Sequence, residues 1–298
     1  MASDVDLRGV WVPLITPFDS SGAVDLPGVT RLADEYLAAG VRGILALGTT
    51  GEAPALTEPE RTAVVAACAA VCDARGAPLI VGTGTNNTAS TLASTEAVAD
   101  TPALAAVLVV TPYYVRPSVA GIVDHFKTVA AASPVPVVIY NIPYRTGRVI
   151  PADAMIELSA VANIAGVKQA VGPLDVDTLE ILAGCHPSFQ VLGGDDAMLY
   201  PTVLMGGSGA ICASSHVCTE RFVEMIECGL AGKLDDGRQH AEALLPVVRA
   251  AFAEPNPAVF KGVLFAEGRI GTPELRAPMT RASDAAVTTA RAAIAAAQ

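Results

Sequence analysis

Short runs of Val, Ile and Leu recur along the chain, and an alanine-rich stretch of helical length follows each of them. The runs predict eight strands, at Val10–Thr16, Gly43–Gly48, Leu79–Gly82, Ala105–Thr111, Val135–Tyr140, Ile164–Lys168, Phe189–Gly193 and Gly209–Ala213. Their apolar residues are consecutive rather than alternating with polar ones. A strand needs that pattern when both of its faces are covered, as in a parallel sheet with helices outside it. Helix start and stop signals agree. Thr57-Glu-Pro-Glu60 has the form of a capping box, Asp25 can cap a helix that closes at Gly40, and Pro151 fits a first helical position. After about Ser215 no further strand is predicted, and the remainder reads as helical with a break at Glu254-Pro-Asn-Pro257. Eight strand–helix units followed by helices predict an α/β fold, a (β/α)8 TIM barrel with a C-terminal helical extension. Residues 1–230 would form the barrel and carry the active site, and residues 231–298 would pack on it as helices. A doubly wound open sheet is the alternative, but it normally needs a Gly-x-Gly-x-x-Gly turn after its first strand. This chain has Thr16-Pro-Phe-Asp19 there.

The length of 298 residues suits one large α/β barrel as well as two average domains. Hydrophobic residues at 52% against 16% charged leave ample core material and no signature of disorder. A net charge of −11 with no basic stripe argues against nucleic acid as a partner, because neutralising phosphates needs clustered Lys and Arg. The run Met1-Ala-Ser-Asp-Val-Asp-Leu-Arg8 is acidic and lacks the basic-then-apolar order of a signal peptide. No apolar run reaches the roughly 20 residues that cross a bilayer, so no membrane association is expected and the chain reads as soluble and cytoplasmic. Six cysteines (68, 72, 185, 212, 218 and 228) form no Cys-x-x-Cys and read as small buried hydrophobes in a reducing compartment. Four scattered histidines give a metal site little support.

In such a barrel the chemistry gathers at the C-terminal ends of the strands. Those ends are Gly48-Thr-Thr-Gly-Glu52, Thr111-Pro-Tyr-Tyr114, Tyr140-Asn-Ile-Pro143, Lys168 and Gly193-Gly-Asp-Asp196. Lys168 is one of four lysines and closes the apolar run Asn163-Ile-Ala-Gly-Val-Lys168. Burial there penalises the ammonium form and lowers its pKa, which is what an amine needs to form an imine with a carbonyl compound. A lysine snorkelling to solvent fits the same position. Lys127, Lys233 and Lys261 read as ordinary lysines. Tyr140 also fits a core tyrosine with its hydroxyl at the rim, the commoner fate of a strand tyrosine, and the pair Tyr113-Tyr114 fits interface packing equally well. Asp195-Asp196 reads better as a helix cap than as an acid–base pair.

Taken together in order, these fragments carry a family resemblance. With them belong Gly82-Thr-Gly84, Arg116-Pro117, Tyr140-Asn-Ile-Pro-Tyr-Arg-Thr-Gly147, Gly166-Val-Lys168, Gly194-Asp-Asp196, Glu254-Pro-Asn-Pro257 and Leu275-Arg-Ala-Pro-Met-Thr280. Over nearly its whole length the chain resembles the pyruvate-dependent, Schiff-base-forming aldolases of the dihydrodipicolinate synthase and N-acetylneuraminate lyase family, and the synthases among them most. The resemblance implies that Lys168 forms an imine with pyruvate and that Tyr140 shuttles protons beside it. Thr49 would link Tyr140 to Tyr114, a tyrosine contributed by a neighbouring subunit. Thr50 would hold the pyruvate carboxylate, Arg145 the carboxylate of the second substrate, aspartate semialdehyde, and the backbones of Gly194 and Ile211 would line the pyruvate site. No metal and no organic cofactor is implied, and the expected assembly is a homotetramer built as a dimer of dimers.

Arg145 and Thr50 favour the synthases, since family members acting on sugar acids typically lack that arginine and commonly carry glycine in place of Thr50. Gln169, following Lys168, departs from the Glu or Asp usual in synthases. Lysine-inhibited members carry a glutamate where this chain has Ser90 and two histidines where it has Glu58 and Arg61, whereas Asn86 and Tyr113 are kept. Little inhibition by lysine is therefore expected. A pyruvate-linked aldolase or dehydratase acting on a sugar acid or another aldehyde is the alternative enzyme. A non-catalytic keto-acid-binding paralogue is the alternative class.

Overall fold

The computed structural model describes residues 5–298; the first four residues of the N-terminal run considered as a leader lie outside them. Eight parallel strands close a barrel in sequence order. They are β1 (Gly9–Pro13), β2 (Gly43–Ala46), β3 (Leu79–Gly82), β4 (Leu104–Val110), β5 (Val137–Asn141), β6 (Ile164–Gln169), β7 (Gln190–Gly193) and β8 (Gly209–Ile211). The ring is sealed where Gly9 pairs with Gly209 and Trp11 with Ile211. Every predicted strand is present, but β1, β2 and β8 stop short of Thr16, Gly48 and Ala213. Apolar sequence continues there because the chain folds over the barrel mouth and stays covered: Leu14, Ile15, Cys212 and Ala213 are all buried without pairing as strand. Burial, and not ladder pairing, is what an apolar run reports.

Trp11, Leu45, Ile80, Leu108, Val138, Tyr140, Leu192 and Ile211 fill the barrel interior. The outward faces of the same strands pack on helices through two larger clusters, one around Val12, Leu32 and Ile44 and the other around Val107, Phe126 and Ile139. Strands covered on both sides account for their unbroken apolar sequence. Asp25 accepts a hydrogen bond from the Gly28 amide at 2.9 Å and so caps the helix Leu26–Ala38, and Gly40 follows with φ +90°. The capping box forms, with the Thr57 amide donating to Glu60 at 2.8 Å. Pro151 differs by one place: it is the extended residue before the helix Ala152–Ser159.

Beyond β8 lie the helices Thr219–Leu230, Leu234–Ala251, Ala258–Ala266 and Asp284–Ala296. Val247, Phe260, Val263, Ala290 and Ile294 knit the later three together against Ala213 and Val217 of the barrel. Among the described residues no helix is long and apolar enough to cross a membrane. All six cysteines are free thiols; Cys68, Cys72 and Cys212 are buried and the others half-buried.

Lys261 corrects the sequence reading. It is not an ordinary lysine but a fully enclosed one, 2.5 Å from the equally enclosed carboxylate of Glu52. Its ammonium also donates to the Glu274 carbonyl and lies 4.0 Å from the centre of the Phe18 ring, while the Arg276 amide donates to the other Glu52 oxygen. The partner is 209 residues away, which no local pattern can reveal.

Candidate active site

Tyr140 on β5 and Lys168 on β6 are register partners in adjacent parallel strands, so their side chains rise on the same side of the sheet into the barrel. The Lys168 Nζ lies 4.5 Å from the centre of the Tyr140 ring. Lys168 is 7% exposed, and burial pulls its pKa down to about 8 against the opposing pull of Asp196; Arg145 adds to the lowering. At neutral pH roughly a tenth of such a lysine is free amine, against about one part in a thousand for an ordinary one. Tyr140 moves the other way, pushed up to about 12 by burial, with Arg145 and a hydrogen bond from Thr49 partly offsetting it. It therefore keeps its proton and can both donate and accept beside the amine.

Close approach around the lysine demands glycine at 194. A Cβ there would lie 2.8 Å from Lys168 Cγ and 2.9 Å from Cε, and the Gly194 amide donates to the Gln169 carbonyl at 2.8 Å. Ile211, the last residue of β8, is fully buried two strands round the barrel from Lys168. The turn Thr49–Gly51 after β2 places Thr50, buried, over the same space, where Asn256 donates to its Oγ1 at 3.0 Å. Arg145 stands on the short helix Pro143–Thr146 at the mouth, its guanidinium 5.0 Å from the centre of the Tyr144 ring. Seven of the eight expected residues thus meet: Thr49, Thr50, Tyr140, Arg145, Lys168, Gly194 and Ile211 all line one cavity of about 450 Å³. The eighth, Tyr114, lies outside it; within one chain it is 88% exposed, with φ +70°.

Residues 6–297 match the sequence profile of the Dihydrodipicolinate synthetase family. The chain belongs to that family. A 4-hydroxy-tetrahydrodipicolinate synthase of Salinibacter ruber is 40% identical to it over 94% of this chain and 92% of its own length. A dihydrodipicolinate synthase of Thermotoga maritima superposes with a TM-score of 0.94 at 32% identity, covering 98% of this chain and 99% of that one. A chloride-inhibited synthase of Acinetobacter baumannii, solved with pyruvate, superposes with a TM-score of 0.93 at 30% identity over 98% and 99%.

Several residues of this synthetase-family cavity escaped the sequence reading. Val248, Arg249, Phe252 and Asn256 all come from the C-terminal helices and their connection. Asn256 falls in Glu254-Pro-Asn-Pro257, which reads as a helix break and as one fragment of the family resemblance, with no site role attached to it. Asp196 is a second correction: Asp195 does occupy a cap position, but the Asp196 carboxylate is buried and accepts from the Ser214 amide at 2.6 Å, tying β7 to the turn after β8. There its charge raises the Lys168 pKa, while burial raises its own. Gln169 alternates away from Lys168 and does not line the cavity. Its amide accepts from Asn141 and donates to Thr178, each at 3.0 Å, and Thr178 donates on to the Asp175 carboxylate at 2.6 Å, a chain that leaves the family departure outside the site. Among the described residues no group of three or more His, Cys, Asp or Glu could hold a metal ion.

Proposed function

We propose that this enzyme condenses pyruvate with L-aspartate 4-semialdehyde through an imine on Lys168, giving 4-hydroxy-tetrahydrodipicolinate for lysine and diaminopimelate synthesis. One observation carries the reading: a desolvated lysine amine at the floor of a cavity, under a protonated tyrosine and facing an arginine at the mouth. The amine adds to the pyruvate carbonyl, and loss of water leaves an iminium. That cation draws electrons from the methyl group, whose proton departs to give an enamine. The enamine carbon attacks the aldehyde and the new alkoxide takes a proton. The acceptor's own amine then adds at the imine carbon and displaces Lys168, closing the ring. Two substrates become one product and one water, with no redox step.

Tyr140 can hand protons on at each stage without bearing a full charge, with Thr49 as its hydrogen-bond partner. Thr50 suits the pyruvate carboxylate. Arg145 suits the acceptor carboxylate because its planar fork bonds two oxygens at once. Tyr114 acts from a neighbouring subunit in a homotetramer. Its exposure beside Tyr113, Val115 and Val119 supports this, as does the adjoining segment with Tyr144 and Val149 exposed, held to it by the bond from Arg148 to the Arg116 carbonyl. Six free thiols suit the cytoplasm. Lysine inhibits weakly or not at all: Ser90 stands exposed in the first turn of its helix, and Arg61 is paired with Glu58 at 3.1 Å. Unchanged turnover in millimolar lysine is the expected assay result.

The deciding experiment is borohydride reduction in the presence of pyruvate followed by peptide mapping. A reduced pyruvyl adduct on Lys168 is expected. Folded protein that gains no adduct would overturn the imine reading, and an adduct without turnover of aspartate semialdehyde would redirect it to another acceptor.

A further inference from the structure

Asn256 reaches the cavity from the connection between the helices Leu234–Ala251 and Ala258–Ala266. Both flanks of that connection are pinned. Glu254 accepts from the amide and the hydroxyl of Ser283, at 3.1 and 2.5 Å, at the start of the last helix. On the other side the Lys261 ammonium is clamped to Glu52, directly after the turn that carries Thr49 and Thr50. Among the described residues the hydrogen-bond partner of the Asn256 side chain is Thr50 alone; its Oδ1 is enclosed and meets no protein donor.

A threonine hydroxyl has one proton to give and two lone pairs to receive with, and its rotor turns to suit its neighbours. The Asn256 Nδ2 donates into one lone pair of Thr50 Oγ1 at 3.0 Å. A hydroxyl filled in that way turns its proton toward another acceptor. Thr50 Oγ1 has no second hydrogen-bond partner among the described residues, and Thr50 faces the cavity floor that holds Lys168.

We propose that Asn256 is a positioning residue: by donating to Thr50 it fixes that hydroxyl as a donor aimed at the carboxylate of the keto acid. The inference rests on the reading of Thr50 as the carboxylate holder. The C-terminal extension thereby takes part in choosing an anionic donor substrate, and Asn256 contributes through Thr50 rather than through its own contact with substrate.

The test is a double-mutant cycle with N256A, N256D and T50A, in which KM for pyruvate, KM for aspartate semialdehyde and kcat are measured separately. N256D keeps the shape but turns the donor into an acceptor that claims the Thr50 proton and adds negative charge. KM for pyruvate should rise about tenfold or more in N256D and less in N256A, with kcat and the second KM much less affected. In the T50A background N256A should add nothing further. Should N256D not fold, the N256A and T50A arms decide alone. Independent, multiplying effects of N256A and T50A would overturn the proposal, as would a general fall in kcat and both affinities accompanied by a lower Tm. A wild-type enzyme that forms no borohydride-trapped adduct would sink the functional reading itself, whereas a wild-type adduct with pyruvate KM unmoved in the variants sinks this inference only.

Discussion

A lysine amine held near pKa 8 should leave its mark on the pH profile. Only the free amine attacks, so kcat/KM for pyruvate should climb as pH rises and level off above about 8. Asp196 raises that pKa by stabilising the ammonium, and D196N keeps an acceptor for the Ser214 amide while removing the charge. The limb in D196N should therefore move toward acid; an unmoved limb would show that another group titrates. At the mouth, R145K keeps the charge but loses the fork. It should raise KM for aspartate semialdehyde by about tenfold and leave pyruvate trapping intact, as parallel KM measurements would show. Lys168 was legible in sequence because a charge closing an apolar strand is anomalous where it stands. Lys261 and Asn256 were not, since what makes them special lies more than two hundred residues away, in Glu52 and Thr50. Asp196 was misread for a related reason: next to a helix start an aspartate looks like a cap, and only the closed barrel brings Ser214 to it.

The helix Glu58–Arg75 begins at a junction of three parts of the chain. Its capping box is reinforced by Arg276, whose guanidinium pairs with Glu60 at 2.5 Å and donates to the carbonyls of Ala55 and Gly22. T57A should cost about 1 kcal/mol in chemical denaturation, the usual toll of a lost N-cap. The Arg276 hydrogen bond holds the Glu60 carboxyl down to about 2, from an ordinary 4.5. A depressed carboxylate stabilises fully above its unfolded value and loses that contribution as pH falls through its folded one. Between pH 4.5 and about 2 the wild type should accordingly lose Tm faster than E60Q; parallel Tm curves would refute the pairing. The box itself could be read from four consecutive residues. Its ion pair, like the early ends of β1, β2 and β8, could not, because composition reports what is buried and not what is bonded to what.

For the whole molecule, the barrel followed from unbroken apolar strands, since eight of them with helices between admit few other arrangements. The assembly does not follow in the same way: within one chain Tyr114 is an exposed loop tyrosine outside the cavity, and its part in the site belongs to the proposed tetramer. Mixed oligomers offer a direct check. Y114F and K168A should each be crippled alone, yet subunits unfolded together and refolded should regain activity, because a site with Lys168 then meets an intact Tyr114 from its neighbour. No recovery would place Tyr114 outside the reaction. The late helices that wall the cavity with Val248, Phe252 and Asn256 also set the timing of activity during synthesis. A nascent chain can finish all eight strands while these residues are still inside the ribosome, so it presents the amine of Lys168 without the contact that orients Thr50. Fragments released by premature termination would then carry a nucleophile with little hold on a keto acid, and turnover becomes a property of completed chains.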